Sequence, residues 1–594
     1  MLGTVERAAR DARRARRAIG GVMPSELEGR LALVRTAIDR TLEPLDVPLG
    51  IVFRPLDGDE HLRAWSERAA RAQRGDAFAP ATLYVHVPFC ARVCTYCLLS
   101  AVRTPGKDAV AAYVGALRRQ IALYEPIVRG LRFGSLHLGG GTPTLLDEAQ
   151  LDRLFTDLSR LPLAENARIG VEAHPATSTP GRLGVLRKHG VHRVSFGVET
   201  LTPEVLRNVN REDQNDARVR AAVNEARRLG FTINIDLLAG LPGETEESWR
   251  ETVAKTITLE PDSLSVNRFL GENSSLDRFG FAPDDDENRR VDRMLMDADV
   301  RIRELAPPRW PEEALARPGF GTQYGWERGE SARRYFQDDM IGPVSTLAIG
   351  HGALGHVYGR HFSVAAGSIA DYVAALDRGA PPAMLASPID ERFEMAFFAA
   401  DHACRGTLSL RTFHGIFRQD LRGVFPHELA FLLERGLLTA KGDRLSKPAR
   451  ADFQLLHLLA FFLRDSASLE RDIAKLAERV SVRRSALVTL RRGGDVGSIF
   501  TTPDAPRAVE VADGLDGATA TALASAAKEH GVALDVQGDD RRTLRQYEAI
   551  GAELPPSMLW VRIAIRASQA SRGEQRAAAP IDAPLPDLAP PSTV

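Results

Sequence analysis

The chain of 594 residues is 44% hydrophobic and 26% charged, an ordinary globular balance with room for several domains. Its 77 lysines and arginines are matched by 78 aspartates and glutamates, which gives no electrostatic reason to expect nucleic acid as a partner. No apolar run approaches the ~18 residues that would span a membrane, and MLGTVERAARDARRARR lacks the apolar core of a signal peptide.

A cytoplasmic protein with no membrane partner is therefore expected. Residues 1–80 read as a helical N-terminal extension. ERAARDARRARRAI and LEGRLALVRTAIDRTL space apolar residues three and four apart, with arginines on a solvated face. From Thr82 short strand-like and helix-like runs alternate. LYVHV, FGSLHL, RIGVEAH, HRVSFGV, FTINIDLL and SLSVNRF read as strands, with KDAVAAYVGALRRQIALY and DEAQLDRLFTDLSRL among the helices between them. Six such alternations by Leu270 predict parallel strands with crossover helices. The fold class is α/β, a partial (βα)6 TIM-like barrel over 81–305 completed by 306–385, where VSTLAIGHGALGHVYG reads as a strand entering a glycine-rich turn. Residues 386–465 read as helices followed by a small hairpin with GD at its turn, a winged-helix-like domain expected to cover a site rather than read DNA. FQLLHLLAFFL, at Phe453–Leu463, reads as a buried helix. Residues 466–570 form an extension of mixed helix and strand signals, and 571–594 a disordered proline- and alanine-rich tail.

In α/β barrels chemistry sits at the C-terminal ends of the strands, and the distinctive residues fall there. A cysteine loop follows the first strand and GGGTPT the second. Glu172 ends the third, Glu199 the fourth and Asp236 the fifth. The loop, YVHVPFCARVCTYC, holds Cys90, Cys94 and Cys97, three of the chain's four cysteines. In a reducing compartment such clusters indicate metal or catalysis more than disulfides. Three thiolates on a short loop can hold three corners of a cubane iron–sulfur cluster, which usually takes four. The fourth iron is then open, as the catalytic position of a zinc enzyme is. A structural zinc would want a second cysteine or histidine pair. None is visible, Cys404 is remote, and His86 should point elsewhere from its strand.

YVHVPFCARVCTYC followed by GGGTPT resembles the radical S-adenosylmethionine (SAM) superfamily, and more narrowly the oxygen-independent coproporphyrinogen III oxidase family, from about Tyr84 to about Pro448. The resemblance implies a [4Fe-4S] cluster with Cys90, Cys94 and Cys97 as metal ligands and catalytic centre. It implies SAM, one molecule or two, chelating the open iron and cleaved by one electron to a 5′-deoxyadenosyl radical, and an electron donor of flavodoxin or ferredoxin type. Gly139, Gly140 and Gly141 would let the backbone approach the SAM amino group, with Thr142 and Pro143 fixing the turn. Glu172 would accept from the ammonium, Arg211 would fork onto the carboxylate, and Glu199 and Asp236 would meet the ribose hydroxyls. Glu199 stands where the family commonly has glutamine; it can accept but not donate. Tyr84, six residues before Cys90, resembles a family tyrosine near the cluster. Phe89 and Tyr96 are expected to pack over the cluster and exclude water.

Within the family, coproporphyrinogen oxidases typically carry one more cysteine two residues after the third; here that position is Leu99. Haem chaperones carry an H-N-x-x-Y-W signature, of which GTQYGWERG keeps only Tyr324 and Trp326 in altered spacing. By elimination, the expected activity is C-methyl transfer or carbon insertion on a small aromatic, heteroaromatic or tetrapyrrole substrate. The alternatives are oxidative decarboxylation of coproporphyrinogen III and a non-enzymatic haem carrier.

Overall fold

Six strands alternate apolar with polar or small residues, and the alternation builds a sheet with two unlike faces. The computed structural model describes residues 24–40, 54–74, 81–97, 101–269, 285–308, 310, 317–318, 322–325, 344–405, 408–448 and 455–471, and four strands at 487–490, 508–511, 532–537 and 562–567. Strands β1 (Ala81–Val87), β2 (Phe133–Gly140), β3 (Leu163–Ala173), β4 (Arg193–Glu199), β5 (Thr232–Ala239) and β6 (Ser263–Arg268) lie side by side in that order, each parallel to the last. Helices α1 (Lys107–Tyr124), α2 (Glu148–Leu158), α3 (Pro180–Lys188), α4 (Asp216–Arg228) and α5 (Glu246–Ile257) make the crossovers. Their starts are written locally: Asp147 and Gln150 close a capping box on α2, Thr245 and Ser248 another on α5, and Asn215 caps α4.

Successive side chains on a strand point to opposite faces. Leu83, Val85, Leu136, Leu138, Val194, Phe196, Ile233, Ile235, Leu264 and Val266 join Leu117, Leu154, Val223 and Val253 of the helices in one buried cluster. The interleaved residues are polar or small: Tyr84 and His86, His137 and Gly139, Glu172, Ser195, Asn234 and Asp236, Ser263 and Ser265. Register aligns His86 with Gly139, and Glu172 with Ser195, Asn234 and Ser263. A parallel sheet buried on both faces is usually apolar on both. This one is apolar only beneath its helices.

A seventh parallel strand, β7 (Ser345–Ile349), lies beside β1. An antiparallel ribbon of Leu354–Val357, His361–Ala365 and Met384–Pro388 extends that side, and Arg54–Leu56 ends it. Thr322–Gly325 runs antiparallel to β6 on the other side, followed by Arg317–Pro318. The sheet has thirteen strands among the described residues and two free edges, so the barrel is partial.

A second core is built from Phe398, Phe413, Phe417, Phe425 and Phe461. It is formed by the helices Glu391–Arg405, Leu410–Phe417 and Pro426–Glu434 with a sheet of Leu408–Ser409, Arg444–Ser446 and Thr439–Lys441, helices then hairpin. LLHLLAFFL is a helix at Leu455–Leu463 with Leu458, Leu459 and Phe461 fully buried. The N-terminal region serves both cores. Leu27, Leu31 and Val34 of the helix Pro24–Arg40 enter the second, whereas Trp65 and Ala69 of Gly58–Gln73 enter the first.

Two expected positions shift. Gly139 and Gly140 belong to β2, because the ladder to β1 runs on to Val87. Asp236 lies inside β5, not at its end, because Leu237, Leu238 and Ala239 keep pairing with β6. Leu99, Trp326, the side chain of Cys404 and most of 472–594 lie outside the described residues. No described helix is long and apolar enough to cross a membrane.

Candidate active site

The cysteine loop is fastened at both ends. Phe89–Cys90 pairs with Val102–Arg103, and the Val102 and Thr104 N–H groups donate to the carbonyls of Pro88 (2.7 Å) and Cys90 (2.9 Å). The turn after β2 lies beneath it: Gly141 N–H donates to Val87 and Thr142 N–H to Phe89, both at 2.8 Å. The glycines are explained by this docking. A Cβ on Gly141 would stand 2.8 Å from the Phe89 carbonyl oxygen, and one on Gly140, whose φ is +108°, 2.7 Å from the His86 ring. At both positions the backbone approaches the protein's own chain closely.

At its other end the loop meets the segment after β4. Thr95 N–H donates to Val209 O, Asn210 Nδ2 to Val93 O (2.8 Å), and Arg92 pairs with Glu212. Arg211 is buried and binds through Nη1 to Cys94 Sγ (3.3 Å) and Tyr96 Oη (3.1 Å), through Nη2 to Gly197 O, and through Nε to Gln214 (3.2 Å). Of its five N–H groups, two hold the loop through Cys94 and Tyr96 and two more are taken by Gly197 and Gln214, so the full fork expected for a carboxylate is not open. Thr142 Oγ1 donates to Cys90 Sγ at 3.3 Å. Burial pushes the Cys90 thiol up to about 11, against the pull of that hydrogen bond. Phe89 turns into the core edge-on to Tyr113 instead of covering the loop.

The polar face of β1 to β5 leads up to the loop. His137 Nε2 lies 3.1 Å from Glu172 Oε1, and Tyr84 stacks on His137 while its hydroxyl meets His86 Nδ1 at 2.9 Å. Burial opposes charge on Glu172, but the hydrogen bonds from His137 and the Gly140 N–H hold its carboxyl below the usual range. Asp236 accepts from Ser195 Oγ (2.7 Å) and Asn234 Nδ2 (2.8 Å), and burial raises its carboxyl. Glu199 sits at a bulge between β4 and β5 with φ +66°, the kind of strained backbone that clusters at functional sites. Burial pushes it up to about 7, although Arg211 pulls down. His174, Thr177 and Asp213 line a small hollow with Cys94, Thr142 and Arg211.

The structure thus gathers Cys90, Cys94, Cys97, Thr142 and Arg211 around one loop, with Glu199 close to Arg211 and Tyr96. It places Tyr84, Glu172 and Asp236 on the polar face beside that loop. His137, Ser195, Asn234 and Gln214 were not singled out by motif. The signal for the first three was polar residues at every second position of strands that should be apolar; Gln214 lies in the segment after β4 and carried no such signal.

The donor set fits a cluster held by thiolates. The three cysteines lie outside any disulfide and are half-buried, and two of the sulfurs already receive hydrogen bonds, as cluster sulfurs do. Among the described residues no group of three or more His, Cys, Asp and Glu converges on a single metal ion.

Residues 84–255 match the family model of the radical SAM superfamily. They are a radical SAM domain, of an enzyme superfamily whose cofactors are a [4Fe-4S] cluster and SAM. Within that superfamily the chain is similar to oxygen-independent coproporphyrinogen III oxidases. It is 40% identical over 189 residues to the oxygen-independent coproporphyrinogen III oxidase of Escherichia coli (strain K12), covering 32% of this chain and 41% of that one. It is 32% identical over 240 residues to coproporphyrinogen III oxidase, anaerobic 1, of Cereibacter sphaeroides, covering 39% and 50%. The chain thus matches half or less of these curated relatives' length. Among solved structures it is similar in fold to coproporphyrinogen III oxidase of Escherichia coli, described as a radical SAM enzyme, with a TM-score of 0.55 and 23% identity, covering 67% of this chain and 93% of that one.

Proposed function

We propose that the chain holds a [4Fe-4S] cluster on Cys90, Cys94 and Cys97, binds SAM against it, and turns the resulting carbon radical to C-methyl transfer or carbon insertion on an aromatic, heteroaromatic or tetrapyrrole small molecule. The observation that carries the radical SAM reading is the cysteine loop, whose Cys90 and Cys94 sulfurs already face the donors of Thr142 and Arg211. When bound, the cluster supplies the electron that breaks a carbon–sulfur bond of SAM.

The chain's own residues do the rest. Thr142 and Arg211 donate hydrogen bonds to the thiolate sulfurs and fix the loop. Glu172, held charged by His137, accepts from the SAM ammonium. Arg211 keeps one N–H for the carboxylate beside its fastening role. Asp236, oriented by Ser195 and Asn234, accepts from the ribose hydroxyls, with Glu199 near it. A one-electron donor of flavodoxin or ferredoxin type reduces the loaded enzyme.

Leu99, in place of the additional cysteine, favours carbon transfer over decarboxylation. A second reading, oxidative decarboxylation of coproporphyrinogen III, is favoured by the names of the relatives at 40% identity. Anaerobic incubation of reconstituted protein with SAM, strong reductant and candidate substrates separates them. Carbon transfer yields S-adenosylhomocysteine together with 5′-deoxyadenosine. Carbon dioxide and 5′-deoxyadenosine without S-adenosylhomocysteine would replace it with decarboxylation. SAM left whole by protein carrying a full cluster would overturn both.

A further inference from the structure

We propose that His137 is a positioning residue for SAM: it fixes the carboxylate of Glu172 so that the lone pairs it does not use are left for the SAM ammonium, an inference resting on the role given to Glu172 above. Four observations meet at this pair. His137 is buried, and its Nε2 lies 3.1 Å from Glu172 Oε1. Tyr84 stacks on the imidazole, ring centroids 6.1 Å apart and planes 14° from parallel, which sets its plane. Gly139, next in the row, leaves the space the pair occupies: a Cβ there would stand 2.9 Å from Glu172 Oε2 and 3.2 Å from His137 Nε2. The Glu172 side chain is 37% accessible while that of His137 is 6% accessible, so the acid faces the cleft and the histidine supports it from behind.

A half-buried carboxylate beside other acids tends to take up a proton. Glu172 faces His86 and Tyr84 from β1, His137 from β2, Glu199 from β4 and Asp236 from β5. Burial favours protonation of Glu172, and His137, the Gly140 N–H and His86 oppose it, while the charge kept on Glu172 raises Glu199 and Asp236 in turn. Protonated Glu172 is a poor acceptor for an ammonium ion. His137 thereby governs both the direction of the carboxylate and the pH range in which it can bind.

The test is the dissociation constant for SAM, by equilibrium dialysis between pH 5 and 9, of protein checked for full iron and sulfide content. His137→Phe is expected to weaken binding about ten- to a hundredfold at neutral pH, the range of a hydrogen bond to a charged group, and to move the acid limb of the binding curve to higher pH. His137→Gln, which can present an N–H near the position of Nε2, should recover most of the affinity and the wild-type acid limb. His137→Asn, too short to reach, should behave like the phenylalanine variant and serves if that one fails to load. Equal affinity and equal pH curves for the asparagine and glutamine variants would overturn the proposal. Glu172→Gln is the control. If it binds SAM as the wild type does, the reading of Glu172 has failed; if it binds weakly while His137→Asn does not, His137 alone is misassigned.

Discussion

The two faces of the parallel sheet share the same strands and ladder but solve different problems. Beneath the helices, Val85, Leu138, Phe196, Ile235 and Leu264 are fully buried, and each could be exchanged for another apolar residue of like volume at small cost. On the other face, Glu172, Ser195, Asn234 and Asp236 are tied to each other or to neighbours by named hydrogen bonds, and a change at one leaves a partner unsatisfied. One face holds the fold and the other carries the candidate site. A strand of period two can serve both because neither face needs residues from the other.

The largest effect is expected at the cysteine loop, where Cys94→Ser removes one of three thiolates. Iron and sulfide content should fall well below four each, and SAM cleavage should be lost, with little change in the melting of cluster-free protein. A full cluster in that variant would refute the ligand assignment.

Next comes the apolar face. Ile235→Ala leaves a void under the helices and should cost about 2–5 kcal/mol in denaturant unfolding of cluster-free protein. The SAM affinity of the loaded variant should stay within about twofold of wild type; a loss comparable to that of a polar-face variant would mean the two faces are not separable.

The smallest expected effect is a pH dependence at the edge of the site. Glu244, in the turn after β5, accepts from the Gly240 N–H at 2.9 Å, and burial pushes it up to about 7 from an ordinary 4.5. Between those values the folded state holds a proton that the unfolded state has lost, so stability falls as pH rises from about 4.5 to 7 and is level above. Glu244→Gln keeps an acceptor for Gly240 and removes the ionisation. It should equal the wild type near pH 4 and exceed it by up to about 3 kcal/mol above pH 7, measured by urea unfolding at both values. An unchanged slope would show that Glu244 ionises freely in the folded protein.

Much of this was legible in the residues themselves. The C-x3-C-x2-C spacing, the six strand–helix alternations and the buried LLHLLAFFL helix are local patterns, because period and spacing act within a few residues. Long-range pairing was not legible. The reason for Gly141 is the backbone of Phe89, fifty-two residues earlier; three of the Arg211 hydrogen bonds go to the distant Cys94, Tyr96 and Gly197; and Asp236 sits within its strand because β6 extends the ladder. Of the two N-terminal helices read from the sequence, ERAARDARRARRAI lies outside the described residues; the described helices Pro24–Arg40 and Gly58–Gln73 pack in different cores.

By itself the sequence determined that three thiols share one loop, that the strands alternate, and which residues can carry charge or donate a hydrogen bond. Only the tertiary structure decided that Thr142 and Arg211 face the sulfurs, that His137 backs Glu172, and that the polar positions of five strands line up in register. Residue type and spacing are properties of a short segment, whereas partners brought together from distant strands depend on how the whole sheet is assembled.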